Sequence, residues 1–220
     1  MTHIKKLTIF FLAFTTLFTF ILYLCFYQQT DTKLMSSSLS SKLLRFRVLA
    51  DSDSDEDQAD KKALCAKLIP LLSDELSTVQ TKEEAVTLVR ESLPFLTAYC
   101  NDVLSSSGKS VSCSLGSHLF PYKTYGNYQF PAGTYDTLLV TIGSGSGSNW
   151  WCLAFPPLCF ADEAFVDVPD SSKQMLSDIL DADEYDAIIL NSAQGQFMPD
   201  PSPEETNKKK FFFYFSSLLF

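Results

Sequence analysis

The alternation of apolar and polar positions is clearest in the second half of the chain. Between Tyr135 and Ile142, β-formers place apolar and polar side chains on opposite faces, which is typical of a half-buried strand. The glycine–serine segment 143–148 cannot continue a strand. A second apolar run, 150–155, stops at Pro156 and Pro157, because proline has no N–H for a sheet ladder. The pattern predicts an antiparallel hairpin with a flexible tip.

The first half of the chain alternates less regularly and then takes up a helical period. A Thr81-x-x-Glu84 capping box marks one helix start. The predicted elements are a strand over 42–50, a helix over 55–69 that ends or kinks at Pro70, a second helix from Thr81, a third from Pro94 and a strand over 110–120. This order predicts an α+β fold with a mostly antiparallel sheet and two to three helices on one side.

An uncharged apolar segment, 7–27, precedes this domain. A helix of that length spans a hydrocarbon core of roughly 30 Å, so residues 1–27 are predicted to be a signal peptide or a membrane anchor. Lys5 and Lys6 predict a cytoplasmic N-terminus and an exported remainder. The serine-rich segment 28–41 is predicted to be a linker.

The sequence after 165 is weaker in pattern. Residues 166–190 are predicted to hold a short helix and an edge strand. Residues 191–220 resemble a proline-rich polar linker that ends in three lysines and an aromatic tail. The tail is too short to span a bilayer, and two positions stay open for it: on a membrane surface or docked on the domain.

Charge and composition exclude several classes of partner and chemistry. The net charge is −9, and the two charges within 1–27 are both lysines, so the exported part is strongly acidic. This argues against nucleic acid or anionic lipid as a general partner. The sequence shows no catalytic constellation or zinc motif, and it predicts no cofactor, no metal, no small-molecule substrate and no enzymatic activity.

The acidic segment around Asp51, Asp53 and Asp57 invites two interpretations. An EF-hand is excluded, because Glu56 and Lys62 occupy its glycine and final glutamate positions. We therefore interpret the cluster as a helix cap whose acids favour the positive end of the helix dipole.

The cysteines leave two alternatives open. Cys152 and Cys159 form either a short disulfide across the proline bend or two buried free thiols. A thiol hydrolase would instead pair Cys113 or Cys152 with His118.

The tryptophan pair provides the candidate partner contact. Adjacent residues on a strand point to opposite faces, so one indole can fill the core while the other contacts a partner; burial of both is the alternative. The candidate contact residues are Asn149, Trp150, Trp151, Phe155, Pro156 and Pro157.

Several short sequence motifs along the chain resemble those of a known family. They are Leu44-Arg45-Phe46-Arg47-Val48, Ser52-Asp53-Ser54-x-x-Asp57-Gln58-Ala59, Phe120-Pro121-x-Lys123-x-Tyr125-Gly126, Phe130-Pro131-Ala132-Gly133-x-Tyr135, Ile142-Gly143-x-Gly145, Asn149-Trp150-Trp151-Cys152 and Phe155-Pro156-Pro157-Leu158-Cys159-Phe160. The segment 42–165 thereby resembles the stage II sporulation protein R family of endospore-forming bacteria. Asp51 departs from the asparagine usual there.

The resemblance implies a non-enzymatic signalling role. Such a protein is exported from the forespore into the intermembrane space, where it activates a membrane-embedded aspartic protease of the mother cell that processes pro-sigma-E. An extracytoplasmic thiol or metal-dependent hydrolase is the alternative hypothesis, with the metal held at Asp51–Asp57.

Overall fold

The computed structural model describes residues 2–158 and 168–190, without the side chains of 2–9 and 25–33. The fold is α+β, as the sequence predicts. In chain order the elements are α1 (Thr2–Lys42), β1 (Leu44–Leu49), α2 (Asp55–Leu76), α3 (Lys82–Val103), a short 3-10 turn (Ser105–Ser107), β2 (Val111–Phe120), β3 (Lys123–Tyr125), β4 (Tyr128–Phe130), β5 (Gly133–Ile142), β6 (Asn149–Phe155), α4 (Asp170–Ile179) and α5 (Ala182–Ile188).

The main sheet has four strands in the order β2-β5-β1-β6. β5 pairs with β2 in antiparallel and with β1 in parallel, and β6 pairs antiparallel with β1. The sheet is therefore mixed, although two of its three pairings are antiparallel. The predicted β5–β6 hairpin is wrong, because β1 lies between the two strands.

The composition of β1 explains its central place. Leu44, Phe46 and Val48 are fully buried on the first face of the sheet, and Arg45 is fully buried on the second. A strand that is buried on both faces belongs inside a sheet, whereas a strand with one wet face can lie at its edge.

α2 and α3 cover the first face of the sheet, and each continues through an interior proline, Pro70 or Pro94. The predicted end of the helix at Pro70 and the separate third helix from Pro94 are therefore wrong, while a kink at Pro70 stays a prediction. A proline removes one helical hydrogen bond. Burial on both sides of Pro70 holds α2 together, with Leu68, Ile69 and Leu72 packed in the core.

The second face is covered in part by the end of α1, by α4 and α5, and by the β3–β4 hairpin. The predicted linker over 28–41 is wrong, since α1 continues to Lys42. Leu39 is fully buried, Ser36 Oγ donates to the Ala132 carbonyl at 3.0 Å, and Lys42 Nζ lies 2.6 Å from Glu184 Oε2. These contacts anchor the serine-rich segment to the domain.

The segment before Leu190 is helical, not a strand. A capping box between Asp181 and Glu184 starts α5, and only an isolated bridge joins Ile189 to Tyr128. Residues 191–220, including the aromatic tail, lie outside the described residues. Within the described part of the chain, no helix is long and apolar enough to cross a membrane, so the anchor over 1–27 stays a prediction.

Replacing Leu39 distinguishes a docked helix from a linker. We expect Leu39→Ala to lower the free energy of unfolding by about 2–5 kcal/mol, because it leaves a cavity in a buried cluster. Urea unfolding of the full chain in detergent measures this. Ser37→Ala, at an exposed position two residues away, is the matched control and should change little. Equal stability of the two variants would contradict docking.

Candidate functional site

Two loops that are about 90 residues apart in sequence meet at the end of β1. The acidic loop, 51–54, follows β1, and the glycine loop, 143–148, joins β5 to β6. Ser144 N–H donates to Asp51 Oδ1 at 2.7 Å, and Ser148 N–H donates to Asp53 Oδ1 at 2.6 Å. Gly147 N–H also donates to the Ala50 carbonyl at 2.9 Å. The glycine loop is thus tied to the acidic loop at both ends, which a free hairpin tip would not be.

Gly147 allows the two loops to approach so closely. A Cβ at this position would overlap the carbonyl oxygen of Ser52, a backbone atom that cannot rotate away. Gly143 and Gly145 have φ of +54° and +65°, a conformation that non-glycine residues rarely adopt. The glycines therefore allow the glycine loop to pass close over the backbone at the end of β1.

Adding a methyl group at Gly147 tests this crossing. We expect Gly147→Ala to lower the free energy of unfolding by about 1–3 kcal/mol, since the backbone must shift and strain its hydrogen bonds. Thermal unfolding measures the loss. Gly116→Ala is the control, because a Cβ there would make only ordinary van der Waals contact, at 3.4 Å, with the His118 side chain. A fully stable Gly147→Ala would contradict the packed crossing.

The acids of the cluster divide into two roles. Ser54, not an aspartate, is the N-cap of α2, and its Oγ accepts from Asp57 N–H at 3.2 Å. Asp57 lies in the first turn and forms an ion pair with Lys109. Asp51 and Asp53 bind the glycine loop, so the prediction of a purely capping cluster holds only for the first turn. Among the described residues, no group of three or more potential metal ligands occurs.

The surroundings of Asp57 set its titration. The Lys109 ammonium and then the Ser52 hydroxyl lower the pKa of this carboxyl to about 2. The unfolded chain therefore takes up a proton near pH 4, whereas the folded chain keeps the carboxylate. The stability that this group contributes is present above about pH 4 and is lost as the pH falls towards 2.

Removing the charge of Asp57 should change the acid limb of the stability profile. We expect Asp57→Asn to be less stable than wild type at pH 6, with the gap narrowing steadily between pH 4 and 2. Chemical unfolding at a series of pH values measures the gap. The stability gap between Lys109→Met and wild type should narrow in the same way, because this substitution removes the ion-pair partner of Asp57. A constant gap from pH 6 to pH 2 would contradict the linkage.

The two tryptophans lie on opposite faces of β6. Trp150 is only 8% exposed and packs in the cluster under α2 and α3, and no hydrogen-bond partner for its Nε1 occurs among the described residues. Trp151 is half-buried on the second face. Its ring lies edge-on to Phe120 at 4.8 Å, and the Arg47 guanidinium stacks over it at 4.2 Å.

The other candidate contact residues occupy two environments. Asn149 is half-buried, and its Oδ1 accepts from Arg47 Nε at 2.6 Å. Phe155 and Pro156, joined by a cis peptide bond, are buried. The Pro157 carbonyl accepts from the Ser172 hydroxyl at 2.6 Å, which attaches the bend to α4. Asn149 and Trp151 are therefore accessible, while Trp150, Phe155 and Pro156 are structural.

The strand register extends this accessible area across the sheet. One row of the second face joins Ser114, Leu139, Arg47 and Trp151, and the next row joins Ser112, Thr141, Leu49 and Asn149. Every one of these eight residues is exposed or half-buried. We call this surface the open half-face. It combines apolar, hydroxyl and stacked aromatic groups beside the glycine loop.

The adjacent row of the same face is closed and contains a buried cation that sequence analysis missed. Arg45 lies beside Thr137 and Leu153, and all three are fully buried. The Arg45 guanidinium faces four aromatic rings at 4.6–5.9 Å, which belong to Phe120, Tyr125, Phe130 and Tyr135. Among the described residues its Nε and Nη2 have no hydrogen-bond partner. The four aromatic residues lie in the family-like motifs of the sequence, and their number is the feature that could have indicated a buried cation.

The two tyrosines around Arg45 have shifted pKa values. Burial raises the pKa of Tyr125 and of Tyr135, and the nearby guanidinium opposes this rise. Both phenols therefore stay neutral, so the charge of Arg45 is balanced by ring faces, which attract cations. This arrangement fills space between the layers and closes half of the second face.

The thiol–histidine pair of the hydrolase hypothesis does not come together. Cys113 and Cys152 point to the first face, whereas His118 lies opposite Tyr135 on the second face. Cys65, Cys100 and Cys113 carry free thiols. Cys152 is buried in β6 and Cys159 lies outside the described residues, so their disulfide stays a prediction.

Comparison with known proteins places this sequence in a family. The family model described as stage II sporulation protein R matches residues 40–165, which is more than half of the chain. The chain belongs to the stage II sporulation protein R family. A stage II sporulation protein R of Bacillus subtilis (strain 168) is 37% identical over 126 residues. That alignment covers 56% of each protein, so the matched part spans little more than half of the relative's length. No solved structure shows significant similarity.

The family match encloses the features described above. It begins near the end of α1 and contains the acidic loop, the glycine loop, Arg45 with its four aromatic rings, and the open half-face. α4 and α5 lie beyond it. The stage II sporulation protein R region therefore includes both faces of the sheet, whereas most of α1 and all of α4 and α5, which cover the second face, lie outside it.

Proposed function

We propose that this chain is an exported sporulation signal. In this proposal the forespore exports it into the intermembrane space, where it activates a membrane-embedded aspartic protease of the mother cell that processes pro-sigma-E. Membership in the stage II sporulation protein R family supports the sporulation role. Export, location, partner and the processing step are the proposal itself.

The surface of α1 supports a membrane-bound start. Between 10 and 24 this helix exposes large apolar side chains on all sides, and exposure of so many to water is costly at about 25 cal/mol per Å². The exposed residues are Phe10, Phe11, Leu12, Phe14, Leu17, Phe18, Phe20, Ile21, Leu22, Tyr23 and Leu24. A helix that continues from this region into the domain would hold the sheet close to the membrane surface.

The observation that carries the proposal is the open half-face. A sheet face that the described helices leave uncovered, with a tryptophan stacked on an arginine, has the composition of a protein contact. Trp151 is held on two sides by Phe120 and Arg47, so little side-chain entropy is lost on binding. We assign the protease contact to this surface.

Activation would follow from differential binding. A contact shifts an equilibrium between two protease arrangements only by its difference in affinity for them. The rigid glycine crossing and the sheet behind the open half-face favour a partner surface of one shape. The proposed effect is selection of the active protease arrangement, with no bond broken by this chain.

Separate substitutions of the two tryptophans test the proposal. We expect Trp151→Ala to remain folded and to lower precursor processing by at least about tenfold, because a tryptophan hot spot contributes on the order of 2 kcal/mol. Trp150→Ala should unfold the domain, since a buried tryptophan contributes about 3–5 kcal/mol. The assay co-expresses the chain with the candidate protease and its sigma precursor and scores cleavage.

The control is Phe95→Ala. Phe95 is an aromatic residue on α3 that is 57% exposed, and α3 lies on the side of the sheet opposite to the open half-face. Precursor processing should be normal in the presence of this variant. Full processing in the presence of a folded Trp151→Ala would reject the open half-face as the contact. Processing that proceeds equally well without the chain would reject the activating role.

A further inference from the structure

Two free thiols face each other between α3 and the edge strand β2. Cys100 Sγ on α3 and Cys113 Sγ on β2 are 4.0 Å apart. A disulfide needs about 2.05 Å between the sulfur atoms. Side-chain rotation together with a small approach of the two elements would therefore join them.

The backbone near the two cysteines is held in place. The Asn101 side chain accepts from Val111 N–H at 2.9 Å and donates to the Val111 carbonyl at 2.7 Å. These two bonds fix the end of α3 against the start of β2. The thiols are therefore kept together by groups other than the sulfur atoms themselves.

The two thiols differ in access and acidity. Cys113 is half-buried, and its hydrogen bond with Cys100, together with that from Thr97, holds its pKa below the ordinary value against the opposing effect of burial. Cys100 is fully buried, and its bond to Cys113, together with burial, raises its pKa. Cys113 is thus the thiol that meets an external reagent, and Cys100 is placed to react second.

We propose that Cys100 and Cys113 form a dithiol site that exchanges with external disulfides and closes to a bond between α3 and β2. The Cys113 thiolate attacks one sulfur of the external disulfide, which forms a mixed disulfide and releases one thiolate. Cys100 loses its proton to solvent and attacks Cys113 Sγ. A second thiolate then leaves, so the external disulfide is reduced by two electrons and the pair is oxidised by two.

Cys65 is the competing thiol on the same face. Burial raises its pKa to about 12, and it is only 1% exposed. It is therefore not accessible to an external disulfide, unlike the half-buried Cys113. The geometry assigns the reaction to the Cys100–Cys113 pair.

The test treats the full chain in detergent with oxidised glutathione at pH 8 and maps it without reduction. Trypsin cleaves after Lys109, which separates the two cysteines into the peptides 91–109 and 110–123. We expect these peptides to be found joined by a disulfide, and the melting temperature to rise by about 5–10 °C because a short loop is closed. A persistent glutathione adduct on Cys113 without the joined peptides would overturn the proposal.

Single-cysteine variants assign the roles. Cys100→Ala should accumulate glutathione on Cys113, and Cys65→Ala should give the joined peptides in the same yield as wild type. Joined peptides that contain Cys65 in wild type would overturn the assignment. The peptide map of the wild-type chain decides the result even where a variant fails to fold. This outcome is independent of the protease contact, although an exported domain would meet such disulfides.

Discussion

The insertion of β1 between β5 and β6 is the constraint on which the other features depend. It joins a parallel and an antiparallel pairing on one strand, and it brings the end of β1 beneath the chain that connects β5 to β6. That connection must cross over Ser52, which is why Gly147 carries no side chain there. The acidic loop and the glycine loop are thus partners because of the strand order.

The same insertion divides the second face of the sheet. Arg45 and Arg47 are two residues apart on β1 and point to one side, yet their surroundings are opposite. Aromatic rings enclose Arg45, while Arg47 stacks on Trp151 at the accessible side. Burying a cation without a carboxylate is costly, and several ring faces offset part of that cost. The closed row therefore defines where the open half-face begins.

Local signals in the sequence predicted local structure well. The β5 alternation, the helix start at Thr81 and the first turn after Ser54 all depend on residues close in sequence, and the structure contains each of them. At Thr81 only half of the predicted capping box forms, because the Glu84 carboxylate accepts from Gln80 N–H and not from Thr81 N–H. The β5–β6 hairpin failed because sequence proximity favours pairing of neighbouring strands, and nothing local shows that β1 lies between them. The linker over 28–41 failed for a similar reason, since Leu39 is held by contacts that are distant in sequence.

β2 contributes residues both to the open half-face and to the thiol pair. Its residues alternate, so Cys113 points towards α3 while its neighbours Ser112 and Ser114 belong to the open half-face. An edge strand has one paired side only, and its position relative to the sheet is less constrained than that of a central strand. A bond from Cys113 to α3 would hold β2 from the first face without occupying the second. The proposed thiol bond would therefore act on the rigidity of the open half-face, and the composition of that surface would stay the same in both redox states.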